Sequence, residues 1–226
     1  MTALLDTQPA TIPTMADALA RLHALGDVPP ERVLMRPLPG TATFADLEAA
    51  HASGCKLVEL VDGVLVEKAM GTRESFLATL LAHFLVAHVL ERRLGVILGG
   101  DGFVRLGDDL VRAPDVSFIP WQRWQRATQS AENYLRVYPD LMVEVLSPSN
   151  TRGEIDRKLR DFFTSGTRLA WIIDPRTQTA RVQTSVDAFL TLDADGTLDG
   201  GDVLRGFALT LAELCRRSKS PQEALP

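Results

Sequence analysis

The stretch that decides the fold runs from residue 141 to residue 173 and reads LMVEVLSPSNTRGEIDRKLRDFFTSGTRLAWII. Residues 141–146 are apolar on both faces except for one glutamate, a pattern typical of a central strand that is covered on both sides. Thr151 and Glu154 match a capping box that opens a helix, and Gly166 provides the stop. Residues 169–173 read as the next buried strand. The stretch therefore predicts a strand, a helix and a second strand.

The chain before this stretch alternates strand and helix patterns. Residues 57–61 and 64–68 predict two strands joined at Asp62-Gly63, a strong hairpin signal. Residues 73–93 predict a long helix with a broad apolar face, and Gly95 lies just past its end. The next predicted strands are short and lie at residues 96–98, 102–106 and 114–119. A polar stretch over residues 122–136 separates them from the central strand.

After the central stretch, residues 180–184 predict an edge strand and residues 209–217 a small helix, with short strands and Asp-Gly turns between them that predict C-terminal hairpins. The order of elements predicts an antiparallel-leaning sheet sandwiched by two main helices, an α/β fold with a mixed α+β sheet. Proline-rich residues 1–42 predict an N-terminal arm with one amphipathic piece at 16–25. Residues 43–217 predict one domain, which opens with a short helix capped by Thr43, and residues 218–226 form a tail.

Composition limits the class of protein. The 226 residues are 46% hydrophobic and carry a net charge of −5, which excludes a disordered or fibrous chain and argues at first against a nucleic-acid partner. Two distant cysteines form neither a disulfide framework nor a zinc cluster, so we expect a reducing compartment, the cytoplasm. Residues 76–90 are apolar but shorter than a bilayer-spanning helix, so no membrane segment is predicted.

Charged side chains on apolar elements mark the candidate site. Glu144 lies within the central strand, where an ionised and unpaired carboxylate costs several kcal/mol. Asp115 begins another buried strand. Lys158 is at the edge of the apolar face of the next helix, whereas Arg157 and Asp161 are predicted to point to the other side. One ammonium and two carboxylates thus converge in a metal site, or form a buried ion pair that only satisfies itself.

These residues carry a resemblance to a known family. Pro114-Asp115, then Glu144-Val145-Leu146-Ser147-Pro148-Ser149, then Lys158 on the next helix, resembles the PD-(D/E)XK nuclease superfamily. More narrowly, the chain is similar to the Uma-type family of restriction-endonuclease-like proteins. That family also has segments like Glu59-Leu60-Val61-Asp62-Gly63, Arg112-Ala113-Pro114-Asp115 and Trp171-Ile172-Ile173-Asp174-Pro175. The resemblance covers roughly residues 44–207, which is most of the chain.

The resemblance implies a site as well as a fold. It implies a restriction-endonuclease-like core with Mg²⁺, or Mn²⁺ as a substitute, bound by Asp115, Glu144 and the Val145 carbonyl. Leu146 replaces the strand lysine of the superfamily, so the lysine is expected on the helix, as Lys158. Lys158 would orient the attacking water or stabilise charge on the phosphate. Glu59 would be an upstream ligand, with Asp62 and Glu74 as competitors.

The charge distribution leaves a nucleic-acid partner open. Between residues 92 and 181, basic side chains outnumber acidic ones by three, and the rest of the chain has a balance of −8. The predicted function is a metal-dependent DNA endonuclease that hydrolyses phosphodiester bonds. The alternatives are a catalytically silent nuclease-fold module that binds nucleic acid or a protein, and a purely structural buried pair. A homodimer is expected because twofold oligomers are common.

Overall fold

The computed structural model describes residues 14–55, 57–130 and 134–218. The helices are α1 Met15–Ala24, α2 Phe44–Ala52, α3 Thr72–Glu91, α4 Trp121–Ala127, α5 Arg152–Ser165 and α6 Leu211–Arg217. The first six strands are β1 Val58–Val61, β2 Val64–Glu67, β3 Gly95–Leu98, β4 Val104–Arg105, β5 Leu110–Arg112 and β6 Val116–Pro120. The others are β7 Leu141–Val145, β8 Leu169–Asp174, β9 Thr179–Gln183, β10 Phe189–Leu192, β11 Thr197–Asp199 and β12 Ala208–Thr210.

A six-stranded sheet in the order β10-β9-β8-β7-β6-β3 forms the centre of the fold. All of its described pairings are antiparallel except that of β7 with β8, whose register places Glu144 opposite Ile172. All five residues of β7 are buried. Helix α3 packs into the apolar cluster on one face, and α5 packs into the cluster on the other. The predicted mixed sheet between two main helices is confirmed, with β7 as a central strand.

A smaller sheet in the order β2-β1-β5-β4 lies beside α5. Its β1–β2 turn is at Asp62-Gly63, as predicted, and both residues have positive φ, 48° and 74°. The chain from Leu25 to Val33 packs on this sheet in a separate apolar cluster. Gly26 lies so close to Gly153 that an added Cβ would be 2.0 Å from its carbonyl carbon. The later part of the predicted arm is therefore packed against the domain, and its boundary at residue 42 stays a prediction.

Helix α3 is the one helix, within the part of the chain that the structure describes, whose length and composition alone would allow it to cross a membrane. It has 20 residues, so the expectation that this stretch is too short does not hold for the helix itself. Leu81 and Leu85 on its inner face are fully buried in the main core cluster, whereas Phe76, predicted to share that face, is 53% exposed. Core helices and membrane helices share such a composition, and here α3 covers the central sheet.

Two local predictions were wrong at element ends. Arg93, with φ 53°, takes the left-handed position after α3, whereas Gly95 begins β3, where an added Cβ would lie 2.1 Å from the Ile119 carbonyl oxygen. The N-cap Thr151 accepts from the Glu154 N–H at 3.0 Å, but the Glu154 carboxylate binds Arg32 instead of completing the capping box. The Gly166 stop is confirmed by its φ of 110°.

Other differences concern strand pairing. Strand β9 is not an edge strand, because β10 pairs along its outer side. Strand β5 was not predicted, although it joins β1 to β4 in the smaller sheet. The polar stretch before β7 begins with helix α4, which starts directly after Pro120. Pairing partners distant in sequence decide these features, and a local pattern does not report them.

Candidate active site

The candidate site lies where β6, β7, α5 and the smaller sheet meet. Asp115 directly precedes β6 and is held beside β7 by its backbone and its side chain. Its N–H donates to the Val143 carbonyl at 3.0 Å, and its Oδ2 accepts from the Val145 N–H at 2.6 Å. The backbone of β7 therefore fixes this carboxylate next to the strand that carries Glu144.

Lys158 joins two of the predicted carboxylates. Its Nζ lies 2.9 Å from Glu144 Oε1 and 3.1 Å from Glu59 Oε1, and all three side chains are buried. The turn of α5 that carries Lys158 faces the end of β7, as its position beside the apolar residues of the helix predicted. The structure thus brings Lys158, Glu144 and Glu59 into one contact.

The upstream acidic residue in this cluster is Glu59. Its Oε1 also accepts from the Ala113 N–H at 2.8 Å, and its Oε2 accepts from Arg112 at 2.9 Å. Of its predicted competitors, Asp62 is at the hairpin turn with a 54% exposed side chain, and Glu74 is in the first turn of α3. Because three groups, the Ala113 N–H, Arg112 and Lys158, surround the Glu59 oxygens, this carboxylate is arranged to position Lys158 rather than to bind a metal.

Asp161 contradicts the helix-face prediction. It was expected to point away from the sheet, but its side chain is buried and accepts from Arg112 at 2.6 Å and from Arg157 at 2.8 Å. The reason is that the smaller sheet covers a second face of α5, which leaves only a narrow strip that includes Arg160 exposed. Arg112 therefore links β1 to α5 through Glu59 and Asp161. Sequence reasoning quoted Arg112 in a motif but assigned it no role.

Lys68 is a second residue that sequence reasoning missed. It follows β2, and its Nζ lies 2.8 Å from Asp115 Oδ1 and 3.1 Å from the Gly100 carbonyl oxygen. Its side chain is 2% exposed. The available signal was the scarcity of lysine, since the chain has four among 24 basic residues. Lys56 and Lys219, two of the others, lie outside the described residues.

The ionisation of the cluster follows from its neighbours. Burial raises the pKa of Glu144 to about 7, in spite of the nearby Lys158, and the Asp115 charge adds to the rise. Burial would also raise the pKa of Glu59, but Lys158 and Arg112 outweigh it and lower that pKa to about 2. Burial opposes the charge of Lys158, yet Glu144 and Glu59 raise its pKa above the ordinary value. Lys158 is therefore a permanent cation at neutral pH.

The donor set fits a hard cation on two carboxylates. The buried cluster has four carboxylates, on Asp115, Glu144, Glu59 and Asp161, against three cations, on Lys68, Lys158 and Arg112. Asp115 Oδ1 is buried and accepts no hydrogen bond, because Lys68 approaches it outside hydrogen-bonding angles. Mg²⁺ commonly takes one or two carboxylates and keeps several waters.

A larger ligand set is absent from the described parts of the chain. No group of three or more His, Cys, Asp or Glu residues there is arranged to hold a metal. The predicted ligands Asp115 and Glu144 fit a cation, whereas Glu59 does not, because its oxygens are already bound. The Val145 carbonyl stays a prediction, and the structure ties the N–H of that residue to Asp115.

Two cavities adjoin the cluster. One, of about 360 Å³, reaches Asp115 and is bounded by the turn at Gly99 and Gly100 and by α3. The other, of about 350 Å³, lies beside the loop that follows β7 and has three arginines on its lining, Arg152, Arg176 and Arg181. The buried cluster is thus adjoined by a solvent cavity at Asp115, and a surface lined by arginines lies nearby.

Solved structures show which class of fold this is. A crystal structure described as "a putative nuclease belonging to DUF820", from Anabaena variabilis, matches with a TM-score of 0.65 at 21% identity. The match covers 72% of this chain and 91% of that one. At this identity the likeness establishes the fold alone, a mixed sheet flanked by helices.

The family follows from a sequence model. The chain belongs to the Uma2 family, described as "Putative restriction endonuclease", whose model matches residues 43–212. No curated protein matches the chain. The predicted resemblance to the Uma-type family is therefore confirmed, and the Uma2 family model supports a nuclease-like function.

Proposed function

We propose that this protein is a metal-dependent endonuclease that hydrolyses the phosphodiester bonds of DNA. The observation that carries the proposal is a pair of buried carboxylates at one strand: Asp115 binds the β7 backbone next to Glu144, and a permanent lysine cation contacts Glu144. Retaining such groups in a core contributes little to stability compared with apolar residues, which favours a catalytic role. The family and the related nuclease structure support the same class of activity.

Each residue of the proposed site has a separate role. Asp115 and Glu144 would hold Mg²⁺, or Mn²⁺ in its place, and the bound cation would supply activation of water and neutralisation of phosphate charge. Lys158 keeps its proton, so it does not act as a general base. It donates a hydrogen bond to Glu144 and places a positive charge beside the proposed metal ligands. Glu59, itself held by Arg112, keeps Lys158 in place. The Val145 carbonyl is a further proposed ligand.

The basic cavity supports a nucleic-acid substrate. Arg152 and Arg176 are largely exposed, with side-chain exposures of 89% and 59%, and they flank the loop that follows Glu144 and Val145. Phosphate groups of a polynucleotide bound at the cluster would meet these guanidinium groups next. The local excess of basic charge in the middle of the chain agrees with such a path. We also propose a homodimer and a cytoplasmic location, and light scattering on the purified protein tests the first.

The test is cleavage of plasmid and single-stranded DNA in Mg²⁺ or Mn²⁺, with EDTA as the metal-free control. We expect Asp115→Asn and Glu144→Gln to lower the rate by about 100-fold or more, since each removes a charge from the proposed metal site. Asp202→Asn, at an exposed side chain, is the matched control and should cut like the wild type. Cleavage that persists in both site variants would come from a contaminant.

A second candidate function rests on one observation. The carboxylates at the site already have lysine counter-ions, Lys68 at Asp115 and Lys158 at Glu144, so the cluster is closed without a metal. This arrangement favours a catalytically silent module that binds nucleic acid or a protein partner. If the protein binds DNA in a gel-shift assay but cleaves it with neither metal, the silent binding module is favoured over the nuclease.

A further inference from the structure

Lys68 is a buried lysine with few polar partners. Its side chain is 2% exposed, and its Nζ contacts Asp115 Oδ1 at 2.8 Å and the Gly100 carbonyl oxygen at 3.1 Å. A buried ammonium without adequate partners costs several kcal/mol, and here it has one carboxylate and one carbonyl. The contact with Asp115 Oδ1 is a buried ion pair, and no hydrogen bond satisfies this oxygen in addition.

Lys68 also lies next to the approach from solvent. The lining of the cavity of about 360 Å³ includes Asp115 and Gly100, the two residues that the Lys68 ammonium contacts. A Cβ built on Gly100 would lie 2.9 Å from Met70 and 3.2 Å from Lys68 Nζ, so the glycine permits the close approach of this turn. Neither lysine lines this cavity, but both contacts of the Lys68 ammonium, Asp115 and Gly100, do, whereas the two carboxylate partners of Lys158 do not.

The two lysines therefore differ in what they can reach. Lys158 is enclosed between Glu144 and Glu59, each within 3.1 Å of its ammonium. Lys68 lies directly behind the cavity wall, in contact with Asp115 and Gly100 of the lining. The strand position where the superfamily motif has lysine is Leu146 in this chain, and it packs against the apolar cluster under α5. Of the two described lysines of the site, Lys68 is therefore the one whose ammonium is a single contact away from the cavity.

We propose that Lys68 is a further catalytic residue of this site. In the metal-free protein it is the counter-ion of Asp115. It shares Oδ1 of Asp115 with the proposed divalent cation, and it donates a hydrogen bond to a non-bridging oxygen of the phosphodiester in the cavity. This inference rests on the proposed nuclease function, but its counter-ion role has a readout that does not depend on cleavage.

The first readout needs no DNA. Isothermal titration calorimetry measures the binding of Mn²⁺, and thermal unfolding in EDTA measures the stability of the metal-free protein. Lys68→Met removes the charge and keeps the chain length. We expect Lys68→Met to unfold at a lower temperature in EDTA and to bind Mn²⁺ about tenfold more tightly than the wild type, because the cation no longer meets a competing positive charge. Asp115→Asn should abolish Mn²⁺ binding in either background. A lysine with only a structural role would not tighten Mn²⁺ binding.

The second readout is cleavage of plasmid DNA in Mn²⁺. We expect Lys68→Met to lower kcat by about 100-fold with little change in KM, and Lys68→Arg to recover part of the rate because it restores the charge. Arg205→Met, at an exposed side chain, is the control for loss of one positive charge. Lys68→Gln, which keeps a donor toward Gly100, replaces Lys68→Met if that variant does not fold.

The outcomes separate this inference from the proposed function. If the neutral variants bind Mn²⁺ as tightly as the wild type or more weakly, Lys68 and the cation do not share Asp115 Oδ1. If these variants cleave DNA at the wild-type rate, Lys68 is not a catalytic residue. A wild-type protein that binds Mn²⁺ but cuts no DNA would remove both the proposed function and the catalytic role of Lys68. The Mn²⁺ titrations would still decide whether Lys68 is the counter-ion of Asp115.

Discussion

Substitution of Arg112 by methionine tests how the charged cluster is held together. The guanidinium of Arg112 contacts Glu59 at 2.9 Å and Asp161 at 2.6 Å, and all three side chains are less than 9% exposed. Methionine keeps much of the volume but leaves two buried carboxylates short of a cation. Removing one partner of a buried ion pair costs about 3–5 kcal/mol, so we expect the free energy of unfolding to fall by that amount at neutral pH.

The pH dependence of this loss provides an independent check. The pKa of Glu59 is about 2 in the folded protein against 4.5 as its ordinary value, so its ionisation adds about 3 kcal/mol of stability above pH 4.5. The sign follows because a lowered carboxyl pKa means that the unfolded state binds protons more readily. This stability is lost as the pH falls from about 4.5 toward 2. In Arg112→Met much of this contribution of Glu59 is missing at every pH. The difference in free energy of unfolding between the variant and the wild type should therefore become smaller at low pH.

Urea unfolding followed by circular dichroism, at pH 7.5 and pH 3.5 in EDTA, measures both effects. Arg205→Met, whose side chain is 83% exposed in the wild type, should change stability by less than about 0.5 kcal/mol. Adding Glu59→Gln to Arg112→Met should restore part of the loss, because one uncompensated charge is removed. A loss below about 1 kcal/mol at pH 7.5, or a difference that stays constant with pH, would refute the assigned role of Arg112.

Two further predictions concern single side chains. Because burial raises the pKa of Glu144 to about 7, the folded state holds this proton more tightly than the unfolded state, so the metal-free wild type should lose about 3 kcal/mol between pH 4.5 and pH 8. Glu144→Gln should lack this part of the loss in urea titrations in EDTA, and parallel pH profiles would contradict the assignment. Thr151→Ala removes the α5 cap and a hydroxyl donation to the Gly26 carbonyl, so it should cost about 1–2 kcal/mol, whereas Thr151→Ser should retain most of the stability.

Several elements of this fold depend on local signals that a sequence displays. The cap at Thr43, the turn at Asp62-Gly63 and the stop at Gly166 involve backbone groups only a few residues apart. The central strand was recognisable because continuous apolar residues fit only a position covered on both faces. Short strands were predicted in the tail, but the pairing of β10 with β9, which removes β9 from the edge, was not, because that pairing depends on the path of the intervening turn.

The site shows the same division between local pattern and packing. Glu144 and Asp115 were recognisable because a carboxylate on an apolar strand is costly, and Lys158 because it borders an apolar helix face. Arg112 and Asp161 are 49 residues apart in the chain and meet only because the smaller sheet packs against α5. Sequence spacing placed Asp161 on a solvent face, since it contained no sign of that second sheet.

By itself, the sequence determined the central strand, the capped helix that follows it, the family, and the charged residues with which any account of the site must deal. Only the tertiary structure decided which charges pair: Lys158 with Glu59 and Glu144, and Lys68 with Asp115. The physical reason is one of range. Caps, turns and apolar periodicity act within a few residues, whereas a buried ion pair joins side chains that only the packing of separate elements brings within 3 Å or so of each other.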